Sequence, residues 1–126
     1  MELYVHYPRR GSCYSVGDII NSLVYITRNG NLDLKDQSGN IVNANELLAF
    51  YKSKKITAKT NERLAWQVVI LSSTLSNTDF ELSTNRMAFK DATWKFAKRN
   101  FYPHWVMVQH LDTVRPHCHL LVLDDT

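Results

Sequence analysis

The sequence predicts an α+β domain, an antiparallel sheet with helices packed over it, on three observations. Segments that alternate apolar and polar residues, or run unbroken apolar, are interspersed with segments whose apolar residues recur at helical spacing. The last two strand-like segments are consecutive and six residues apart, so a hairpin is their natural pairing. The chain has 126 residues, 44% of them apolar and 21% charged, enough for one domain with a buried core.

LYVHY at 3–7 alternates and reads as a strand, ended by Pro8-Arg9-Arg10-Gly11. Ser15 offers an N-cap to a helix carrying Val16, Ile19, Ile20, Leu23, Val24 and Thr27, with Asn29-Gly30 as its stop. NLDLKDQSGNIVN reads as a hairpin turning at Ser38-Gly39-Asn40. ANELLAFYKSKK, 44–55, is a short helix that becomes basic at its end. AWQVVILSS, 65–73, is a strand of buried type. From Ser83 to Asn100 a helix buries Phe89, Ala92, Phe96 and Ala97. HWVMVQH (104–110) and HCHLLVL (117–123) complete the order: strand, helix, hairpin, helix, strand, helix, strand, strand.

No stretch approaches the roughly 20 apolar residues that span a bilayer, so no membrane insertion is expected. The N-terminus lacks a secretory signal core. Cys13 and Cys118 are too few and too distant for a disulfide framework or a paired-cysteine zinc site, which suits a reducing cytoplasm. The net charge of +3 is unevenly spread. Five cations stand against one acid in 52–63 (Lys52, Lys54, Lys55, Lys59, Arg63) and again in 86–99 (Arg86, Lys90, Lys95, Lys98, Arg99). Two basic segments on a mildly acidic body suggest a polyanion footprint.

The chemistry concentrates in HLDTVRPHCH at 110–119. Strand alternation sends His117 and His119 to one face and Cys118 to the other. A hairpin centred near Thr113-Val114 sets His110 across from His117 or His119, within roughly 5 Å at Cβ. Three converging imidazoles with an open coordination position make a catalytic metal pattern, and Asp112 is a candidate partner for an imidazole N–H. Imidazole suits zinc, copper, nickel and iron, while a phosphoryl-transfer site would use manganese or magnesium. His6 and His104 lack this convergence and read as surface residues. On a helical wheel Val16, Ile20, Leu23 and Thr27 cluster within about 40°, and Tyr25 lies about 180° from Val16, turned away from that stripe.

His110-Leu-Asp112-Thr-Val-Arg-Pro116-His117-Cys-His119 resembles the metal motif of plasmid mobilisation relaxases, His-hydrophobic-His endonucleases, nearest the MobA/MobL type. Gly11-Ser12, followed by a helix ending Tyr25-Ile26-Thr27-Arg28, is similar to that group's N-terminal nucleophile segment, and the resemblance covers most of the chain. Asp112 stands where the group often has a glycine-like residue, and relaxase domains usually continue past the histidine strand with further helices. The resemblance implies one catalytic domain over 1–126 of ferredoxin/RRM-like architecture in a bacterial cytoplasm, either cut short at its C-terminus, a minimal stand-alone protein or an impaired relative.

It further implies a divalent ion, Mn2+ or Mg2+ with Zn2+ as the alternative, on His110, His117 and His119. Tyr25 would nick single-stranded DNA at an origin of transfer through a 5′-phosphotyrosine, alongside accessory mobilisation proteins. Asp112 would orient a histidine or act as base. Arg28, Lys52, Lys54, Lys55, Lys59 and Arg115 would meet DNA, and Phe101, Tyr102, Trp105 or Trp66 could stack an extruded base. No tyrosine follows His119, so the nucleophile lies upstream, with Tyr14 the competitor of Tyr25. Two other classes fit the same residues: a non-cleaving nucleic-acid-binding remnant, and a three-histidine metal hydrolase or oxygenase acting on a small molecule.

Overall fold

A computed structural model describes residues 1–54, 62–101 and 104–123. It is an α+β structure in which seven strands among the described residues form one antiparallel sheet. The strands are β1 (Leu3–His6), β2 (Ser12–Cys13), β3 (Leu34–Asp36), β4 (Ile41–Val42), β5 (Ala65–Ser72), β6 (His104–His110) and β7 (His117–Leu123). The helices are α1 (Val16–Ile26), α2 (Ala44–Lys52) and α3 (Ser83–Asn100), with one 3-10 turn at Asp79–Glu81. The strand order is β1-β5-β7-β6-β3-β4, with β2 beside β1 on the same edge of β5. No helix of the described residues is long and apolar enough to cross a membrane.

Both faces of the central strands β6 and β7 are clad. On one, Ile19, Leu23 and Ile26 of α1 and Leu48 of α2 pack on Ala65, Val106, Val108 and Leu121. On the other, Phe89 and Ala97 of α3 pack on Val68, Ile70, Trp105, Met107, Cys118 and Leu120. This explains why β6 and β7 are nearly unbroken apolar runs: a strand covered on both sides has no solvent face to mark with polar residues.

The caps follow the sequence. Ser15 accepts a hydrogen bond from the Asp18 amide, and Asn43 caps α2 through the Glu46 amide. Arg28, Asn29 and Gly30 all take positive φ after α1, the left-handed stop expected at Asn29-Gly30. The β3–β4 hairpin turns over Gln37–Asn40 as the sequence reads.

Three elements differ from the sequence reading. The two-residue β2 is too short to carry a period and was not foreseen. The buried line of α3 is Phe89, Thr93 and Ala97, whereas Ala92 and Phe96 are only half-buried. Thr93 is fully buried because its hydroxyl donates to the Lys90 carbonyl and accepts from the Gln109 amide, so its polarity hid a core position. On α1 the buried residues are Ile19, Ser22, Leu23 and Ile26, while Val16 and Ile20 are half-buried. The buried face is turned by roughly 80° from the expected stripe, because α1 packs on the sheet and on α2 together. Tyr25 therefore sits on the flank of α1, about 120° from the buried centre, rather than opposite it.

Candidate metal centre

The hairpin register pairs His110 with His117, and His119 with Val108. All three imidazoles lie on the face covered by α1, and Cys118 lies on the other, buried among α3's contacts. The three rings pack edge to face with centroids 4.5–5.1 Å apart. One ligand atom from each lies within 4.8 Å of the others, close enough to hold one metal ion, and no other such group of His, Cys, Asp or Glu occurs among the described residues.

The protonation pattern is readable from the partners. His110 Nε2 lies 2.7 Å from the Ile26 carbonyl, and His117 Nδ1 lies 2.8 Å from the Arg115 carbonyl. A carbonyl only accepts, so each of these nitrogens carries the proton and the opposite nitrogen carries the lone pair. Backbone carbonyls thus take the orienting role expected of Asp112. His117 Nε2 and His119 Nε2 are 3.0 Å apart. Two nitrogens bound to one ion at about 2.1 Å, with about 90–109° between them, are about 3.0–3.4 Å apart, so this pair stands at ligand spacing. His119 Nδ1 is buried without a hydrogen-bond partner.

Electrostatics disfavour protonation of His119 and His110. Burial, reinforced by His117, His110 and Arg28, pushes His119 down to about 3. Burial likewise lowers His110, helped by Arg28 and His117 and opposed by the Ile26 carbonyl and Asp112. Neutral imidazoles are the form a metal requires.

Arg28 and Asp112, 84 residues apart in sequence, form a two-pronged ion pair at 2.7 and 2.9 Å that ties the end of α1 to the β6–β7 loop. The guanidinium holds the Asp112 carboxyl down at about 2. A carboxylate so weakly basic and so engaged cannot collect a proton near neutrality, which argues against Asp112 as a general base. Tyr25 reaches the cluster from the last turn of α1. Its ring meets the His119 ring edge-on with centroids 5.5 Å apart, and the residue is 64% exposed. Tyr14 precedes the Ser15 cap, at the other end of the 11-residue helix, about 16 Å away along its axis.

The remaining residues scatter. Arg115 is exposed in the β6–β7 loop, beside the site. Lys52 ends α2, and Lys54 lies over the rings of Phe50 and Tyr51. Lys54 also borders Leu123, at the far end of β7 and roughly 20 Å along that strand from His117. Lys55 and Lys59 fall outside the described residues, as does Tyr102. The cations of 86–99 ride α3 on the opposite face of the sheet, away from the histidines. Trp105 is core, Trp66 lies under the Arg63 guanidinium, and Phe101 packs on Phe96. His6 and His104 are exposed, as expected. Sequence reasoning missed the Ile26 and Arg115 carbonyls, which leave no side-chain signature, and the Arg28–Asp112 pair.

No family model, curated protein or solved structure matches the chain.

Proposed function

We propose that this protein is a relaxase-like, metal-dependent transesterase that nicks single-stranded DNA through Tyr25. The observation that carries this reading is the contact of the Tyr25 ring with His119, which sets an exposed phenol against a three-histidine centre. The phenolic oxygen attacks the scissile phosphorus, the Tyr25 O–P bond forms, and the bond from phosphorus to the 3′-oxygen breaks. The phenol gives up one proton and the 3′-oxygen gains one, so the exchange of esters is balanced and reversible. A divalent ion on His110, His117 and His119, Mn2+ rather than Mg2+ because nitrogen donors suit the softer of those two ions, with Zn2+ as the alternative, would neutralise charge on a non-bridging phosphate oxygen.

Arg28 supplies a fixed cation beside the same site; its charge lowers both His110 and His119, and Asp112 holds its guanidinium in place. Asp112 acts in this reading by positioning Arg28. Arg115, exposed in the adjoining loop, is available to a neighbouring phosphate.

The test is covalent capture. The protein is incubated with Mn2+ and a randomised single-stranded oligonucleotide pool, and adducts are resolved on a denaturing gel. Adduct is expected with the wild type and with Tyr14→Phe, and none with Tyr25→Phe or His117→Ala/His119→Ala. Adduct surviving in Tyr25→Phe overturns Tyr25 as the nucleophile. Manganese binding without any adduct overturns the transesterase reading and leaves a metal site for a different substrate.

A further inference from the structure

The register places more than histidines in line. Tyr4 of β1 pairs with Leu71 of β5, which pairs with His117, which pairs with His110. In the next row, His6, Val69, His119 and Val108 follow one another across the same four strands. Directly paired residues share a face, so Tyr4 and His6 lie on the face of the metal ligands, two strands or about 10 Å from His117 and His119. α1 does not cover this strip. Tyr4 is 58% exposed, His6 is exposed, and Val69 and Leu71 are half-buried although they belong to the interior strand β5.

The strip is bounded rather than open on every side. Gln67, one step further along β5, is tied to α1 by a 3.0 Å hydrogen bond from its amide to the Ser22 hydroxyl. Beyond it lies a cleft of about 260 Å³ between α1 and β2, lined by Arg10, Ser12, Asn21 and Gln67 among others. A shallow trough therefore runs about 13 Å along β5, from Gln67 to Leu71. The flank of α1 with Asn21, Ser22 and Tyr25, together with the metal ligands His117 and His119 beside it on β7, forms one side, Tyr4 and His6 lie across β5 on the other, and Arg10 stands at the Gln67 end.

We propose that this trough is the track on which the unpaired strand lies, with bases stacking on Tyr4 and His6 and a phosphate meeting Arg10. The inference rests on the nuclease reading above and extends it from the reacting phosphate to the nucleotides beside it. Rings on a bare sheet surface with a cation at the end of the row are the means by which unpaired nucleic acid is held without sequence readout. A double helix keeps its base faces inside its own stack, so the same rings offer it nothing. The trough thereby selects single strands.

Fluorescence anisotropy of labelled oligothymidylate, measured on the full chain with Mn2+, tests the track. Tyr4→Ala is expected to weaken binding about tenfold and Tyr4→Phe to stay within about twofold, because stacking needs the ring and not the hydroxyl. His6→Ala is expected to weaken binding in the same way. Manganese affinity by calorimetry should be unchanged in Tyr4→Ala, and affinity for a duplex competitor should not move. Undiminished binding in Tyr4→Ala and His6→Ala, together with loss in Lys90→Gln/Lys98→Gln, would seat the strand on the α3 face and overturn the track while leaving the nuclease reading standing. A wild type that binds manganese but no oligothymidylate overturns both.

Discussion

Arg28 carries two tasks that its position alone makes compatible. It takes positive φ in the turn that ends α1, and its guanidinium reaches across to Asp112 in the β6–β7 loop. The hydrogen bonds from that guanidinium are the main reason the Asp112 carboxyl is held at about 2, below the ordinary 3.8. Arg28→Ala removes them, so the Asp112 carboxyl should titrate back toward its ordinary range, as read by carbon-detected NMR of its side chain. A carboxyl unmoved in that variant would mean that Arg28 is not what holds it. Tyr25 illustrates a different residue-scale point. It is exposed, and its ring nevertheless contacts His119 of the histidine cluster.

At the scale of elements, the end of α1 decides the site's geometry. Ile26 presents its carbonyl to His110, Thr27 is fully buried with its hydroxyl accepting from the Gly30 amide, and Gly30 takes a φ of +85°. A Cβ at Gly30 would stand 2.3 Å from Asn45 Oδ1 in α2. Gly30→Ala should therefore destabilise the fold by about 1–2 kcal/mol through left-handed strain, beyond the shift forced on Asn45. It should also weaken manganese binding, because the turn places the Ile26 carbonyl. Gly17→Ala is the contrast: it lies within α1, its added Cβ would meet nothing nearer than Ser15 Oγ at 3.6 Å, and it should be neutral or stabilising by up to about 1 kcal/mol. Urea denaturation with unchanged m-value distinguishes the two, and equal effects would remove the claim for the turn.

Across the whole molecule, the central strands are packed on both faces and the histidines lie at one end of them, where α1, β6 and β7 meet. Burying an imidazole there has a consequence for stability against pH. His119 is held near 3 in the folded protein against an ordinary 6.5. Above pH 6.5 neither state holds its proton and the contribution is fully present. Between 6.5 and about 3 the unfolded chain takes up a proton that the fold refuses, so stability falls as pH falls, by about 1.4 kcal/mol per unit for each proton. His110, lowered for the same reason, adds in the same direction. With chelator present, the melting temperature should drop steadily from pH 6.5 to 4, and His119→Phe should flatten that slope. Saturation with Mn2+ at about 100 times its Kd should raise the melting temperature by roughly 10 °C, since an ion bound only by the fold adds about 2.7 kcal/mol. A pH-independent melting temperature would contradict the burial of these two rings.

The sequence by itself determined the longer elements and the facing of His117 and His119. β6, β7 and α3 have the limits their patterns predict, the hairpin is centred between Thr113 and Val114, and His117 and His119 share a face that Cys118 does not. Strand alternation and helical spacing are local properties, and two strands joined by six residues have little freedom but to pair. What covers a face is not local. Only the tertiary structure decided that α1 turns Ile19 and Ser22 inward and leaves Tyr25 on its flank beside His119, because α2 and the sheet compete for the same helix. Only it joined Arg28 to Asp112 and gave His110 and His117 backbone carbonyls as partners, since a carbonyl is common to every residue and marks none. It also set the cations of 86–99 on the face of the sheet away from the histidines, because charge records that a residue faces water and not which side of the molecule that water lies on.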